Sequence, residues 1–250
     1  MRIRVSKFGG GVFRDISSAH AIRKAVKSEL ELAGKLIIVV SAMGKTTDSL
    51  LAMAPKNADP RELDRLLMTG EAIAAPALAL DLVSHGIKAK SFSGMEAGIS
   101  TDGRFGDAEI VRTDPSAVME ALKSFDVAVV AGFQGLGVNG ELTTLGRNGS
   151  DTSAIYLASA SAAQSCTFWK DVDGIYQSDP KKNAGAGLYK FLNTAELFDG
   201  AAGGILHPRA LDLIKKESAA GRSMEIVIRS INIARRFTTI GRMPTELWEK

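Results

Sequence analysis

The residues best equipped for chemistry lie in short segments far apart in the chain. The segment Thr143-Thr144-Leu145-Gly146-Arg147-Asn148-Gly149-Ser150-Asp151 joins a flexible backbone to one cation, one acid and several hydroxyls. Arg147 carries a planar fork that matches a carboxylate or a phosphate. Gly146 and Gly149 allow the backbone to approach a ligand. Ser150 and Asp151 open a helix, whose first amides favour an anion. A capping role would account for Ser150 or Asp151, but not for Arg147 beside a threonine pair. Lys7 ends an apolar strand and is followed by Gly9-Gly10-Gly11, so its ammonium can reach into a site while bare backbone approaches phosphate oxygens. Lys170-Asp171-Val172-Asp173-Gly174-Ile175-Tyr176, with Ser178-Asp179-Pro180-Lys181 behind it, adds lysines for phosphates and an aromatic ring that can stack on a base.

Other segments are narrowed by what they lack. Gly44-Lys45-Thr46 ends like a phosphate-binding P-loop, but the first glycine of that motif would fall at Val39, so the P-loop reading fails. Ser41, Thr46, Thr47 and Asp48 still offer polar groups after a buried strand. Glu71 lies among Ala72, Ile73, Ala74 and Ala75, where burial is costly without a partner. The expected partner is an ammonium group, either on a ligand or on an internal side chain. His20, His85 and His207 share no metal-ligand spacing. Cys166 is the single cysteine, which leaves no intrachain disulfide and reads as a small core residue.

The elements that must position these groups alternate. Strands are expected over 3–8, 36–40, 87–92, 97–101, 127–131, 167–169 and 224–229. Helices are expected over 16–33, 61–84, 116–124, 150–163, 194–202 and 208–220, with Gly34 stopping the first. Such alternation argues for an α/β fold with a mainly parallel sheet covered on both faces. Lys7, Ser41, Gly132 and Lys170 follow or end strands and should converge at the carboxyl edge, where open α/β sheets bind ligands. The 250 residues are 45% hydrophobic and 24% charged, ordinary globular values, and the net charge is +3. Without a basic–aromatic platform, this charge suits small anions better than nucleic acid. No apolar stretch approaches a membrane span, and the start of the chain enters a strand directly, so a cytoplasmic setting is expected.

In order and separation these segments resemble the aspartokinase pattern of the amino-acid-kinase family, over nearly the whole chain. The resemblance rests on Lys7-Phe8-Gly9-Gly10, Val40-Ser41-Ala42-Met43-Gly44-Lys45-Thr46-Thr47-Asp48, the Thr-Thr-Leu-Gly-Arg stretch, Lys170-Asp171-Val172-Asp173-Gly174-Ile175-Tyr176 and Leu206-His207-Pro208. It implies a three-layer αβα sandwich forming one catalytic domain, residues 1–250. The acceptor would be held by about 1–145 and the nucleotide by about 146–250. The implied reaction moves the γ-phosphoryl group of ATP, with Mg2+, to the side-chain carboxylate of L-aspartate, the entry to lysine, threonine and methionine synthesis. The resemblance makes Lys7 and Asp151 catalytic and assigns Thr47, Glu71, Arg147 and Ser150 to aspartate. Gly9, Gly10, Lys170, Asp171, Tyr176 and Lys181 would surround the nucleotide.

The chain departs from that pattern at Gly11 and Val12, where the family has Thr-Ser, at Asn148, where it has Gly, and at Gly204, where it has a phosphate-contacting lysine. Lys170, Lys181, Lys182 or Arg209 is expected to supply that missing charge. A different small acceptor, or a weakly catalytic sensor of nucleotide or amino acid, is the competing reading. The chain ends soon after its last expected strand, so ACT regulatory domains and feedback inhibition acting on this chain alone are not expected. A homodimer and a separate regulatory subunit stay open.

Overall fold

The computed structural model describes residues 2–172, 174–178, 182–183, 185–193, 206, 208–221, 224–232 and 237–241. Its centre is an eight-stranded sheet. The strands are β1 (Arg2–Phe8), β2 (Gly34–Val40), β3 (Ala89–Phe92), β6 (Val127–Ala131), β9 (Ser165–Lys170), β10 (Phe191–Asn193), β11 (Glu225–Ser230) and β12 (Phe237–Gly241). Their spatial order is β10-β12-β11-β9-β1-β2-β6-β3. All pairings are parallel except β11 with β12.

Residues along a strand alternate between faces, and that alternation sorts the core into two layers. Ile3, Val5, Ile37, Val39, Ala128, Val130, Cys166 and Phe168 pack on one face against α5 (Ser116–Ala121), α6 (Gly149–Ala160) and α7 (Pro208–Ala219). Phe8, Leu36, Ile38, Val40, Val127, Val129 and Trp169 pack on the other against α1 (Ala19–Ala33) and α4 (Thr69–Ser84). The expected three-layer αβα sandwich is therefore present. It explains why β2 and β6 read as unbroken apolar runs: both of their faces are covered. Gly34 ends α1 at φ 82°, donating its N–H to the Leu30 carbonyl, as its place in the sequence suggested.

Several elements differ from the sequence reading. The expected helix over 61–84 divides at Met68 into α3 (Pro60–Leu67) and α4. Together they span 25 residues that by length and composition could pass for a membrane span, which the sequence reading did not expect, but Ala74, Ala75, Leu78 and Leu82 seat α4 in the core. The 41–48 segment contributes the start of a helix, α2 (Thr46–Met53). The strand expected at 97–101, observed as β4 (Ile99–Thr101), leaves the main sheet. It joins a second sheet with β5 (Ile110–Thr113), β7 (Gln134–Gly137) and β8 (Leu142–Thr144), in the order β5-β4-β7-β8. Strands of three or four residues are too short to declare a two-residue period. β10 and β12 were likewise unexpected, and the helix expected at 194–202 lies outside the described residues.

Gly132, just past β6, sets how closely α6 approaches the sheet. A β-carbon there would lie 2.8 Å from the Ser150 Cβ and 2.9 Å from a Val39 methyl. Both neighbours are buried between packed elements. Gly132→Ala is expected to destabilise the chain by about 1–3 kcal/mol through overpacking, read as a lower urea midpoint with an unchanged slope.

Candidate active site

Lys7 lies two residues beyond Val5 and Lys170 two beyond Phe168, so both side chains leave the sheet on the α6 face. Asp151, in the first turn of α6, meets them there. The Lys7 Nζ stands 2.7 Å from Asp151 Oδ1 and the Lys170 Nζ 3.2 Å from Oδ2. Asp151 is 1% exposed and Lys7 7%. Burial alone would raise the Asp151 pKa, but the two ammonium groups outweigh it and hold the carboxyl below its usual range. Burial pulls the Lys170 ammonium down, opposed by Asp151. The three groups carry one net positive charge when all are ionised. They sit at the carboxyl edge of β1 and β9, beside Ser41, whose N–H donates to the Phe8 carbonyl, and Gly132, whose N–H donates to the Val40 carbonyl. The convergence expected from the strand ends is present.

Glu71 reaches the same edge from the opposite helical layer. It is 3% exposed and accepts the Ala42 N–H at 2.8 Å through Oε1. Oε2 is buried and has no hydrogen-bond partner among the described residues. Burial raises its pKa to about 7 despite the bond from Ala42 and the field of Lys7. Gly70 permits this approach, because a β-carbon there would lie 2.7 Å from the Ala42 Cβ. Gly10 works similarly: its missing side chain would collide with the carbonyls of Ala42 and Gly44, at 2.7 and 2.8 Å. Its smallness thus serves packing between the two strand-end loops. At Gly9 a β-carbon would crowd the Lys7 Nζ at 3.2 Å, so glycine leaves that ammonium uncovered. Thr47 lies half-buried in the first turn of α2.

The 143–151 segment divides its labour differently from the sequence reading. Both threonines are structural: the Thr143 hydroxyl lies 2.6 Å from that of Thr101, and the Thr144 hydroxyl donates to Asp64 Oδ1 at 2.7 Å. Neither Ser150 nor Asp151 caps α6. The cap is Asn148, in the left-handed conformation at φ 56° with no side-chain capping bond. Asparagine tolerates that region better than most residues with a side chain. Ser150 is buried under Gly132. Arg147 is exposed, and its guanidinium makes no hydrogen bond or ion pair among the described residues.

On the nucleotide side the placement is uneven. Asp171 is exposed and shares a cavity of about 300 Å3 with Gly11, Val12, Arg14, Ile231 and Asn232. A β-carbon on Gly11 would meet nothing within 4 Å, so the position that loses the family hydroxyl is open. Tyr176 forms an antiparallel bridge with Leu188. Lys181 and Gly204 lie outside the described residues. Of the expected charge donors, Lys170 reaches Asp151, Lys182 is exposed, and Arg209 is bound in a fork to Asp107, at 2.9 and 2.8 Å. Cys166 is buried, and burial pushes its thiol well above the usual range, consistent with a core role. Sequence reasoning missed the Ala42 amide, Gly70 and Asp64. Only Gly70, a glycine inside a helical pattern, left a visible signal.

Glu71 should leave a mark on stability. Its carboxyl moves from an ordinary 4.5 to about 7 on folding. Between those values the folded chain keeps a proton that the unfolded chain has released, so stability falls as pH rises and levels off above the folded value. Urea unfolding from pH 5 to 8 is expected to show this decline in the parent chain and to lose it in Glu71→Gln.

Comparison with known proteins places the chain in a family. The model of the amino acid kinase family matches residues 2–230. The chain is 40% identical over 222 residues to the aspartokinase of Thermus thermophilus, covering 86% of this chain and 55% of that protein. It is 39% identical over 220 residues to the aspartokinase of Geobacillus stearothermophilus, covering 86% and 54%. The chain thus spans about half the length of the curated relatives it matches. Among solved structures, aspartate kinase from Synechocystis superposes with a TM-score of 0.82 at 33% identity, over 98% of this chain and 40% of that one. Escherichia coli aspartokinase III in complex with aspartate and ADP superposes with a TM-score of 0.83 at 22% identity, over 97% and 65%, a likeness of fold. Family model and fold agree: the chain belongs to the amino acid kinase family.

Proposed function

We propose that the chain transfers the γ-phosphoryl group of ATP to the side-chain carboxylate of L-aspartate, giving 4-phospho-L-aspartate and ADP. The observation that carries this reading is the buried carboxylate of Asp151 held between Lys7 and Lys170 at the strand ends, with Glu71 on the same edge. The names of the relatives support the choice of acceptor.

A free carboxylate has a pKa near 4, so the nucleophile is already ionised at neutral pH and needs no base. The difficulty is repulsion between an anionic acceptor and a polyanionic donor, and catalysis rests on position and positive charge. One acceptor oxygen attacks the γ-phosphorus as the bond to the β-phosphate bridge oxygen breaks, and ADP leaves with that electron pair. Lys7 meets the charge on the transferring group, and Asp151 keeps Lys7 and Lys170 extended toward it. Arg147 takes the α-carboxylate in its fork. Glu71 supplies the missing partner for the α-ammonium, and its orphaned Oε2 is the atom that would accept it. Thr47 and Ser150 complete the acceptor site. Gly9, Gly10, Lys170, Asp171, Tyr176 and Lys181 border the nucleotide. Bound Mg2+ would offset phosphate charge. In this reading residues up to about 145 serve the acceptor and those beyond serve the nucleotide.

Hydroxylamine trapping of the acyl phosphate with aspartate, glutamate or carbamate, and coupled detection of ADP release with these and with a nucleoside monophosphate, each with ATP and Mg2+, test the proposal. Hydroxamate formed with aspartate is expected. Turnover with another acceptor, or none, overturns it. Lys7→Ala should lower kcat by roughly 10²–10³. Arg147→Ala should raise the KM for aspartate by about 10–100-fold, the worth of a charge-assisted pair.

A further inference from the structure

Asp64 is a buried acid that the proposed chemistry does not use. It is 1% exposed and makes no ion pair among the described residues. Its carboxylate is held by hydrogen bonds alone: from the Gly106 N–H at 2.9 and 3.1 Å, the Thr144 N–H at 2.8 Å and the Thr144 hydroxyl at 2.7 Å. A buried charge without a counter-charge is expensive unless such bonds satisfy it. Here they tie α3 to the loop at Gly106 and to the end of β8 at Thr144. Asp64 stands seven residues before Glu71, two helical turns along the same side of the α3–α4 stretch. Thr144 stands three residues before Arg147.

The other side of that stem is held from α7. Arg209 grips the Asp107 carboxylate in its fork and donates to the Ala108 carbonyl at 3.1 Å and the Leu145 carbonyl at 3.4 Å. Asp107 in turn presses on Gly146, whose backbone is left-handed at φ 71° and where a β-carbon would fall 2.4 Å from Asp107 Oδ1. Residues 144–146 are thus clamped between Asp64 and the Arg209–Asp107 pair. Arg147, whose guanidinium has no hydrogen bond or ion pair among the described residues, takes its direction from that stem.

We propose that Asp64 and Arg209 are positioning residues: they fix the loop that aims Arg147, and Asp64 also sets that loop in register with Glu71. The consequence for the acceptor rests on the reading of Arg147 given above; the clamp itself does not. Asp64→Asn replaces one acceptor oxygen with a donor facing an N–H. Hydrogen exchange on the ligand-free variant is expected to speed up at the Thr144 and Gly106 amides and through 145–148. The KM for aspartate should rise about tenfold or more, with the KM for ATP changed less than twofold. Added to Arg147→Ala, Asp64→Asn should raise the aspartate KM no further, because Asp64 acts through Arg147. Arg209→Lys, which keeps the charge but loses the fork, should show the same pattern more weakly and guards against misfolding of the Asp64 variant. Unchanged exchange at 144–148 in both variants overturns the proposal, as does a KM effect additive with Arg147→Ala or equal for ATP. If the parent chain phosphorylates no aspartate, the acceptor reading falls, and hydrogen exchange alone still decides the clamp.

Discussion

The structure turns on one buried carboxylate. Asp151 is almost wholly removed from water, and a charge in that position is retained only because cations from two adjacent strands converge on it. Breaking such a group by removing one partner typically costs about 3–5 kcal/mol, so the ion cluster is a strong constraint on how α6, β1 and β9 sit together. Strand alternation makes it possible. Lys7 and Lys170 share the face of Val5 and Phe168, and the helix that covers that face carries Asp151 in its first turn. Gly132 then allows the start of α6 to lie directly on the sheet edge.

The site is assembled from both helical layers. The layer of α6 brings the anion that organises two lysines, and the layer of α4 brings Glu71. Their environments push the two acids apart: burial dominates at Glu71 and raises it, whereas ammonium groups dominate at Asp151 and lower it. Two carboxylates separated in this way can take different tasks at one pH. Glu71 is poised to ionise when a cation arrives, while Asp151 stays charged and holds two ammonium groups at the strand ends. An arrangement rich in fixed cations suits the proposed reaction between two anions.

Much of this was legible because it is local. The lysine before three glycines, the glycine–arginine segment at a helix start and the apolar runs of β2 and β6 each declare themselves within a few residues. The short strands of the second sheet did not, since β7 contains alternating glycines and β8 only three residues. The threonine pair at 143–144 looked like ligand chemistry because hydroxyls serve both purposes, and only its contacts with Thr101 and Asp64 assign it to structure. Arg209 likewise read as a spare cation until Asp107, far away in sequence, was found in its fork.

By itself the sequence determined the layer architecture, the strand ends that carry the site and the types of group gathered there, since periodicity and glycine placement are properties of short segments. Tertiary structure alone decided which acid takes which cation, that Gly10 and Gly70 serve close packing of loops and helix, that Asn148 rather than Ser150 caps α6, and that Asp64 binds Thr144. Those outcomes depend on desolvation and on distances between residues far apart in the chain, and neither quantity exists until the layers are packed.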